Sequence, residues 1–133
     1  MRFSVLVADD EKMPREILRD RLPWEELRVD RVDAAEDGAQ ALEMARAHRP
    51  DIIISDVKMP RMNGLELAGA VREMYPDCQF IFLSGYTDKE YLKGAIKLRA
   101  ASYVEKPIDL EEIAAVLRQV TAELEQRARP DPN

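Results

Sequence analysis

A doubly wound α/β fold with five parallel strands is what this sequence predicts, on three observations. Apolar runs of strand length alternate with segments of helical period. Four of the helical segments open on a residue pair with capping-box spacing. Two of them close on an X-Pro-Asp sequence that leads into the next apolar run. The 133 residues, 46% apolar and 35% charged, suit one domain that buries its own core.

The elements follow in order. The first strand covers Phe3–Ala8 and stops at Asp9-Asp10, and the charged run Glu11-Lys12, Arg15-Glu16 and Arg19 reads as the solvated face of the helix after it. An extra piece, Pro23 to Leu27, precedes the second strand at Val29–Ala35, and its Trp24 is expected to pack as a local lid. Asp37 with Gln40 opens the second helix, which ends at Arg49-Pro50 before a strand at Asp51–Ser55. Asn63 with Glu66 opens the third, which ends at Tyr75-Pro76 before a strand at Gln79–Ser84, with Cys78 expected to be buried and inert. Thr87 with Glu90 opens the fourth, and the last strand is Ser102–Glu105. Asp109 with Glu112 opens the fifth, stapled by Ile108 and Ile113. Its stripe of Leu110, Ile113, Leu117, Val120 and Leu124 docks on the sheet, or in its outer turns forms a dimer seam or linker. Residues 1–126 form the domain, and 127–133, with two prolines, a tail or the start of a linker.

Composition excludes several function classes. A net charge of −6 repels nucleic acid and anionic membrane. No apolar run approaches the ~20 residues that span a bilayer, and the short first run ends in acids, unlike a secretory signal. With one cysteine and no such signal, the cytoplasm is the expected compartment. The single histidine, His48, rules out relays or zinc sites that need two imidazoles.

Right-handed crossovers bring every strand's carboxyl end to one edge, where such sheets bind ligands. Asp9, Asp10, Asp56, Ser84 and Lys106 all lie at those ends. If the strand order is 2-1-3-4-5, the first and third strands are neighbours and three carboxylates converge. Their repulsion would raise at least one pKa, and a divalent cation would relieve it. Oxygen ligands in a shallow open site favour Mg²⁺ over Ca²⁺. Asp10 and Asp56 are expected as direct ligands, Asp9 through water, and the backbone carbonyl of Lys58 as a further oxygen. Lys106 and Ser84 on the other side supply a cation and a hydroxyl for an incoming phosphoryl group, with Asp56 as nucleophile and an aspartyl phosphate as product. Singly, each residue has a plainer reading: Asp9 and Asp10 as helix caps, Asp56 as a turn acid, Ser84 as a loop hydroxyl, Lys106 as a solvated charge. Chance does not readily put all of them at strand ends on one edge.

The motifs Asp9-Asp10, Ser55-Asp56-Val57-Lys58-Met59-Pro60 with Asn63-Gly64, Ser84-Gly85-Tyr86 and Lys106-Pro107 occur in an order that resembles the receiver domain of two-component response regulators, from about Phe3 to Glu123. The resemblance implies a flavodoxin-like (βα)5 fold and a phosphoryl group passed from a sensor histidine kinase to Asp56. It also implies that Ser84 swings to bind that group, that Tyr103 rotates inward as a readout, and that Lys106 and Pro107 are joined by a cis peptide. A phosphorylation-linked homodimer through the fourth helix, fifth strand and fifth helix follows from it too. Ordinary packing is the plainer reading of Tyr103.

Leu22-Pro23-Trp24-Glu25-Glu26-Leu27, Leu83-Ser84-Gly85-Tyr86 with Glu90-Tyr91, and Ala95-Ile96-Lys97-Leu98 resemble receivers fused to AraC-type helix-turn-helix domains. Any DNA-binding output is then expected outside these 133 residues, unless the receiver stands alone. Two other classes fit less well. An aspartyl-phosphate phosphatase of the haloacid-dehalogenase type needs an acid two residues after its nucleophile, where Lys58 stands. A flavodoxin needs a hydroxyl- and glycine-rich loop for an anionic flavin phosphate, which Asp9-Asp10 would repel. Without a nearby general base the phosphorylated form is expected to persist, with Lys58 and Tyr86 tuning its lifetime.

Overall fold

The structure, a computed structural model, describes residues 2–85 and 88–128. Its elements are β1 (Phe3–Ala8), α1 (Lys12–Arg21), β2 (Val29–Ala35), α2 (Gly38–Ala47), β3 (Ile52–Asp56), α3 (Gly64–Met74), β4 (Gln79–Ser84), a 3₁₀ turn (Lys89–Tyr91), α4 (Leu92–Lys97), β5 (Ser102–Glu105) and α5 (Leu110–Ala128). All strands are parallel, in the order β2-β1-β3-β4-β5. This is the predicted doubly wound, flavodoxin-like arrangement.

Side chains that alternate along each strand feed two cores, so the inner strands are apolar without interruption. Val5 and Val7 of β1, Ile52 and Ile54 of β3, and Ile81 and Leu83 of β4 pack under α1 and α5 through Leu18, Ile113, Leu117 and Val120. Leu6, Ile53, Phe80 and Phe82 pack on the opposite face under α2, α3 and α4 through Ala41, Ala45, Leu67, Val71 and Ala95. The α5 stripe therefore docks, with Leu110 and Leu124 at its half-buried ends. Trp24 lies against the same core, its Nε1 donating to the Arg19 carbonyl at 2.8 Å, so the insert does cap the end of α1.

The capping pairs are built as their chemistry allows. Asn63 and Glu66 form a full reciprocal box. Asp37 accepts from the Gln40 amide, but the Gln40 side chain accepts from Glu36 instead of Asp37. Asp109 accepts from the amides of Glu111 and Glu112 at 3.0 and 3.4 Å.

Two expectations are corrected. β3 sits one residue later than Asp51–Ser55, because the ladder runs on through Asp56, which pairs with Leu83 of β4. The fourth helix does not begin after Thr87, a residue outside those described: the 3₁₀ turn intervenes, and α4 starts at Leu92 with no side-chain cap. Farther on, α5 continues helical through Ala128, and the remainder of the tail lies outside the described residues.

Leu117 is fully buried beneath α5. Leu117→Ala is expected to cost about 2–5 kcal/mol of unfolding free energy, read from urea denaturation as a lower midpoint at unchanged slope.

Candidate functional site

The strand order puts β1 beside β3, with Ala8 paired to Ser55. The residues that follow, Asp9 and Asp56, are thereby brought together, and Asp10 closes the group. One carboxylate oxygen from each of the three lies within 4.8 Å of the others. Asp9 and Asp56 are buried, whereas Asp10 is exposed. Asp9 Oδ1 accepts from the Glu11 amide at 2.9 Å, but its buried Oδ2 has no hydrogen-bond partner among the described residues. Behind it the Arg15 guanidinium donates to the Asp9 carbonyl at 3.0 Å and fixes the backbone of the acidic turn.

Lys106 reaches across from the end of β5. Its Nζ donates to Asp56 Oδ2 at 2.6 Å, and the Lys58 amide approaches Asp56 Oδ1 at 3.3 Å. The Lys106 amide donates to the Ser84 carbonyl at 2.8 Å, and the Lys106-Pro107 peptide is cis. Asp10, Glu11, Asp56, Lys58 and Lys106 border an open crevice of about 580 Å³, shared with Met59, Pro60, Gly85 and Asp88. The loop beneath it closes on Gly64, whose amide donates to the Val57 carbonyl, and where a Cβ would stand 2.4 Å from the Asp56 carbonyl. Only glycine fits so close to the backbone that carries Asp56.

Burial, helped by the charges of Asp56 and Asp10, pushes the Asp9 carboxyl up to about 6 against the pull of the Glu11 amide and Lys106. Burial also holds Asp56 above its usual range, although Lys106 works in the other direction. For Lys106 burial favours the neutral amine, yet its hydrogen bond and charge contact with Asp56 prevail and raise its pKa. A cluster of oxygen donors, one of them buried and unpartnered, fits a hard divalent cation such as Mg²⁺.

Ser84 and Tyr103 meet at the same edge. The Tyr103 hydroxyl lies 2.8 Å from Ser84 Oγ and 3.0 Å from the Asp88 carbonyl, and Ser84 Oγ donates to the Gly85 carbonyl at 3.2 Å. Tyr103 thus already points to Ser84 in this structure, while no hydrogen bond joins Ser84 to Asp56 among the described residues. Tyr86 lies outside those residues.

Sequence reasoning missed Arg15 and Asp88. Asp88 is an acid four residues beyond Ser84 on the same edge, and that placement was the available signal. Arg15, read from the sequence as part of a solvated helix face, instead turns its guanidinium back to the Asp9 carbonyl and stands 3.9 Å from Glu36, and a backbone partner leaves no mark in a pattern of side chains.

Comparison with known proteins agrees with this geometry. The family model for the response regulator receiver domain matches residues 5–118. An uncharacterized response regulatory protein of Staphylococcus epidermidis is 41% identical over 120 residues, covering 88% of this chain and 47% of its own length. The transcriptional regulatory protein HptR of Staphylococcus aureus is 36% identical over 128 residues, covering 96% of this chain and 50% of its own. The chain thus spans about half the length of these curated relatives. Among solved structures, the receiver domain of AraT, a response regulator from Geobacillus stearothermophilus, superposes with a TM-score of 0.92 at 40% identity, covering 97% of this chain and all of that one. A two-component transcriptional regulator AraC from Clostridium phytofermentans superposes with a TM-score of 0.87 at 47% identity, covering 96% and 99%.

The raised Asp9 pKa carries a pH signature. Between the ordinary value of 3.8 and about 6 the native state holds a proton that the unfolded chain has released, so this group lowers stability as pH rises through that window. Asp9→Asn keeps the acceptor for Glu11 and removes the buried charge. In chelator at pH 7 it is expected to melt about 5 °C above the parent, with the two melting curves converging near pH 4.

Proposed function

The chain belongs to the response regulator receiver domain family, and on that premise we propose that it is a phosphorylation switch in which Asp56 takes a phosphoryl group from a sensor histidine kinase. The observation that carries this reading is the 2.6 Å contact between Lys106 and Asp56, made at a carboxylate that also belongs to the acidic cluster. Among the described residues of the cluster, Asp56 is the one whose carboxylate bonds Lys106 directly, and Glu11 stands 3.9 Å from the same ammonium.

In the reaction, an Asp56 carboxylate oxygen forms a bond to phosphorus as the phosphorus–nitrogen bond of the donor phosphohistidine breaks, and the departing imidazole keeps the electron pair and gains a proton from solvent. Lys106 offsets the charge on the phosphoryl oxygens, and Ser84 offers a hydroxyl once it leaves Gly85. Asp10 and Asp56 would hold Mg²⁺ directly, Asp9 through water, and the Lys58 carbonyl would add an oxygen. The bound ion supplies positive charge that lets an anionic donor approach an acidic site.

Receiver domains are regulatory switches of two-component systems, and this chain's site suits a lasting signal. Lys58 stands where a turnover enzyme would carry an acid, so no side chain there activates water against the acyl phosphate. We assign Lys58 and Tyr86 the tuning of its lifetime by control of water access. Exchanging both is expected to change the dephosphorylation rate measurably, and an unchanged rate contradicts the assignment.

The readout we propose runs from Ser84 through Tyr103 to the face of α4, β5 and α5, where Leu92 and Ile96 are exposed large apolar residues. That face would form a phosphorylation-linked homodimer. The output would be a DNA-binding domain outside this chain, in keeping with the transcriptional regulators it resembles. A stand-alone receiver acting through protein contacts is the second reading. Neither role has this domain bind nucleic acid itself. No helix among the described residues is long and apolar enough to cross a membrane, and we propose a cytoplasmic setting.

Incubation with acetyl phosphate and Mg²⁺, followed by intact mass, tests the central step. The parent is expected to gain one phosphoryl group, lost on adding chelator beforehand, while Asp56→Asn gains none. A gain in both proteins, or in neither, contradicts the reading.

A further inference from the structure

Two hydrogen-bond donors sit at the carboxyl end of β4, beside the crevice that holds Asp56: the Ser84 hydroxyl and the Gly85 amide. Both are already engaged within their own turn. Ser84 Oγ donates to the Gly85 carbonyl, and the Gly85 amide donates to Asp88 Oδ2 at 2.8 Å. The turn is tied again by the Asp88 amide, which donates to the Gly85 carbonyl at 3.1 Å, and by the Tyr103 hydroxyl at the Asp88 carbonyl. Asp88 is buried, and it and Gly85 line the crevice together with Asp56, Lys58 and Lys106. A Cβ at Gly85 would stand 2.9 Å from Asp88 Oδ2, so glycine at this position is what lets the carboxylate reach the amide.

A phosphoryl dianion on Asp56 seeks these same donors. Asp88 opposes it in two ways: its carboxylate holds the Gly85 N–H, and its negative charge faces the same crevice. We propose that Asp88 is an inhibitory latch on the phosphoryl site, which reserves the Gly85 amide and keeps Ser84 in its turn until an anion on Asp56 displaces the carboxylate. Asp88 is in this sense a positioning residue that acts through Gly85 and Ser84. The backbone carbonyl of the same residue accepts from the Tyr103 hydroxyl, so the latch lies between the phosphorylated aspartate and the aromatic readout. The inference rests on the reading of Asp56 as phosphoacceptor and deepens it.

The test compares the 133-residue parent with Asp88→Asn, which keeps an acceptor oxygen but loses the charge, and Asp88→Ala, which loses both. Phosphoryl uptake from acetyl phosphate with Mg²⁺ is followed by intact mass, and hydrogen exchange at the Gly85 amide by NMR. Both variants are expected to take up the phosphoryl group faster than the parent, by roughly tenfold for the loss of one charge contact in a partly solvated site. Gly85 exchange is expected to quicken strongly in Asp88→Ala and little in Asp88→Asn. A residue with only a structural role would leave uptake unchanged or slow it. If the parent is phosphorylated and neither variant is faster, the latch is overturned while the function of Asp56 stands. If the parent takes no phosphoryl group, the reading of Asp56 falls, and the latch with it.

Discussion

Three carboxylates within 4.8 Å of one another, two of them buried, face a single ammonium 2.6 Å from Asp56. One lysine does not balance three acids, and burial adds to the cost: desolvation, helped by the charges of Asp56 and Asp10, pushes the Asp9 carboxyl up to about 6. The site is an electrostatic conflict that the fold imposes. Its useful property follows directly: a divalent cation, and then a phosphoryl group beside Lys106, each find a place where the charge they bring is wanted.

What imposes the conflict is topology. With β1 next to β3, the ladder that pairs Ala8 with Ser55 leaves Asp9 and Asp56 side by side, and the pairing of Ser84 with Glu105 brings Lys106 to the same edge. The two apolar cores then hold the strands in register, so the acids cannot drift apart to relieve their repulsion. Gly64 under Asp56 and Arg15 behind Asp9 complete the support, one by admitting a close backbone and the other by fixing a carbonyl. Stability in the cores is what sustains strain at the rim.

Much of this was legible in the sequence because the strong signals are local. Both faces of the sheet are covered, so the strands read as unbroken apolar runs, and the Asn63–Glu66 box marks α3 by its chemistry alone. Asp9, Asp10, Asp56, Ser84 and Lys106 stood out because each stands at the carboxyl end of an apolar run. The departures occur where tertiary contacts decide. β3 extends through Asp56 because Leu83 pairs with it, and α4 begins only at Leu92, after the 3₁₀ turn at Lys89–Tyr91. Asp88 escaped notice, and Arg15 read as a solvated charge, because each makes its closest contact with a backbone group, which a pattern of side chains does not display.

The account stands on one bond, an acyl phosphate at residue 56. Reduction with borohydride converts an aspartyl phosphate to homoserine, which peptide mapping locates to a single position. After treatment with acetyl phosphate and Mg²⁺, homoserine is predicted at position 56 and nowhere else. Homoserine at Asp9 or Asp10, or its absence from a protein that has gained phosphoryl mass, would contradict the account.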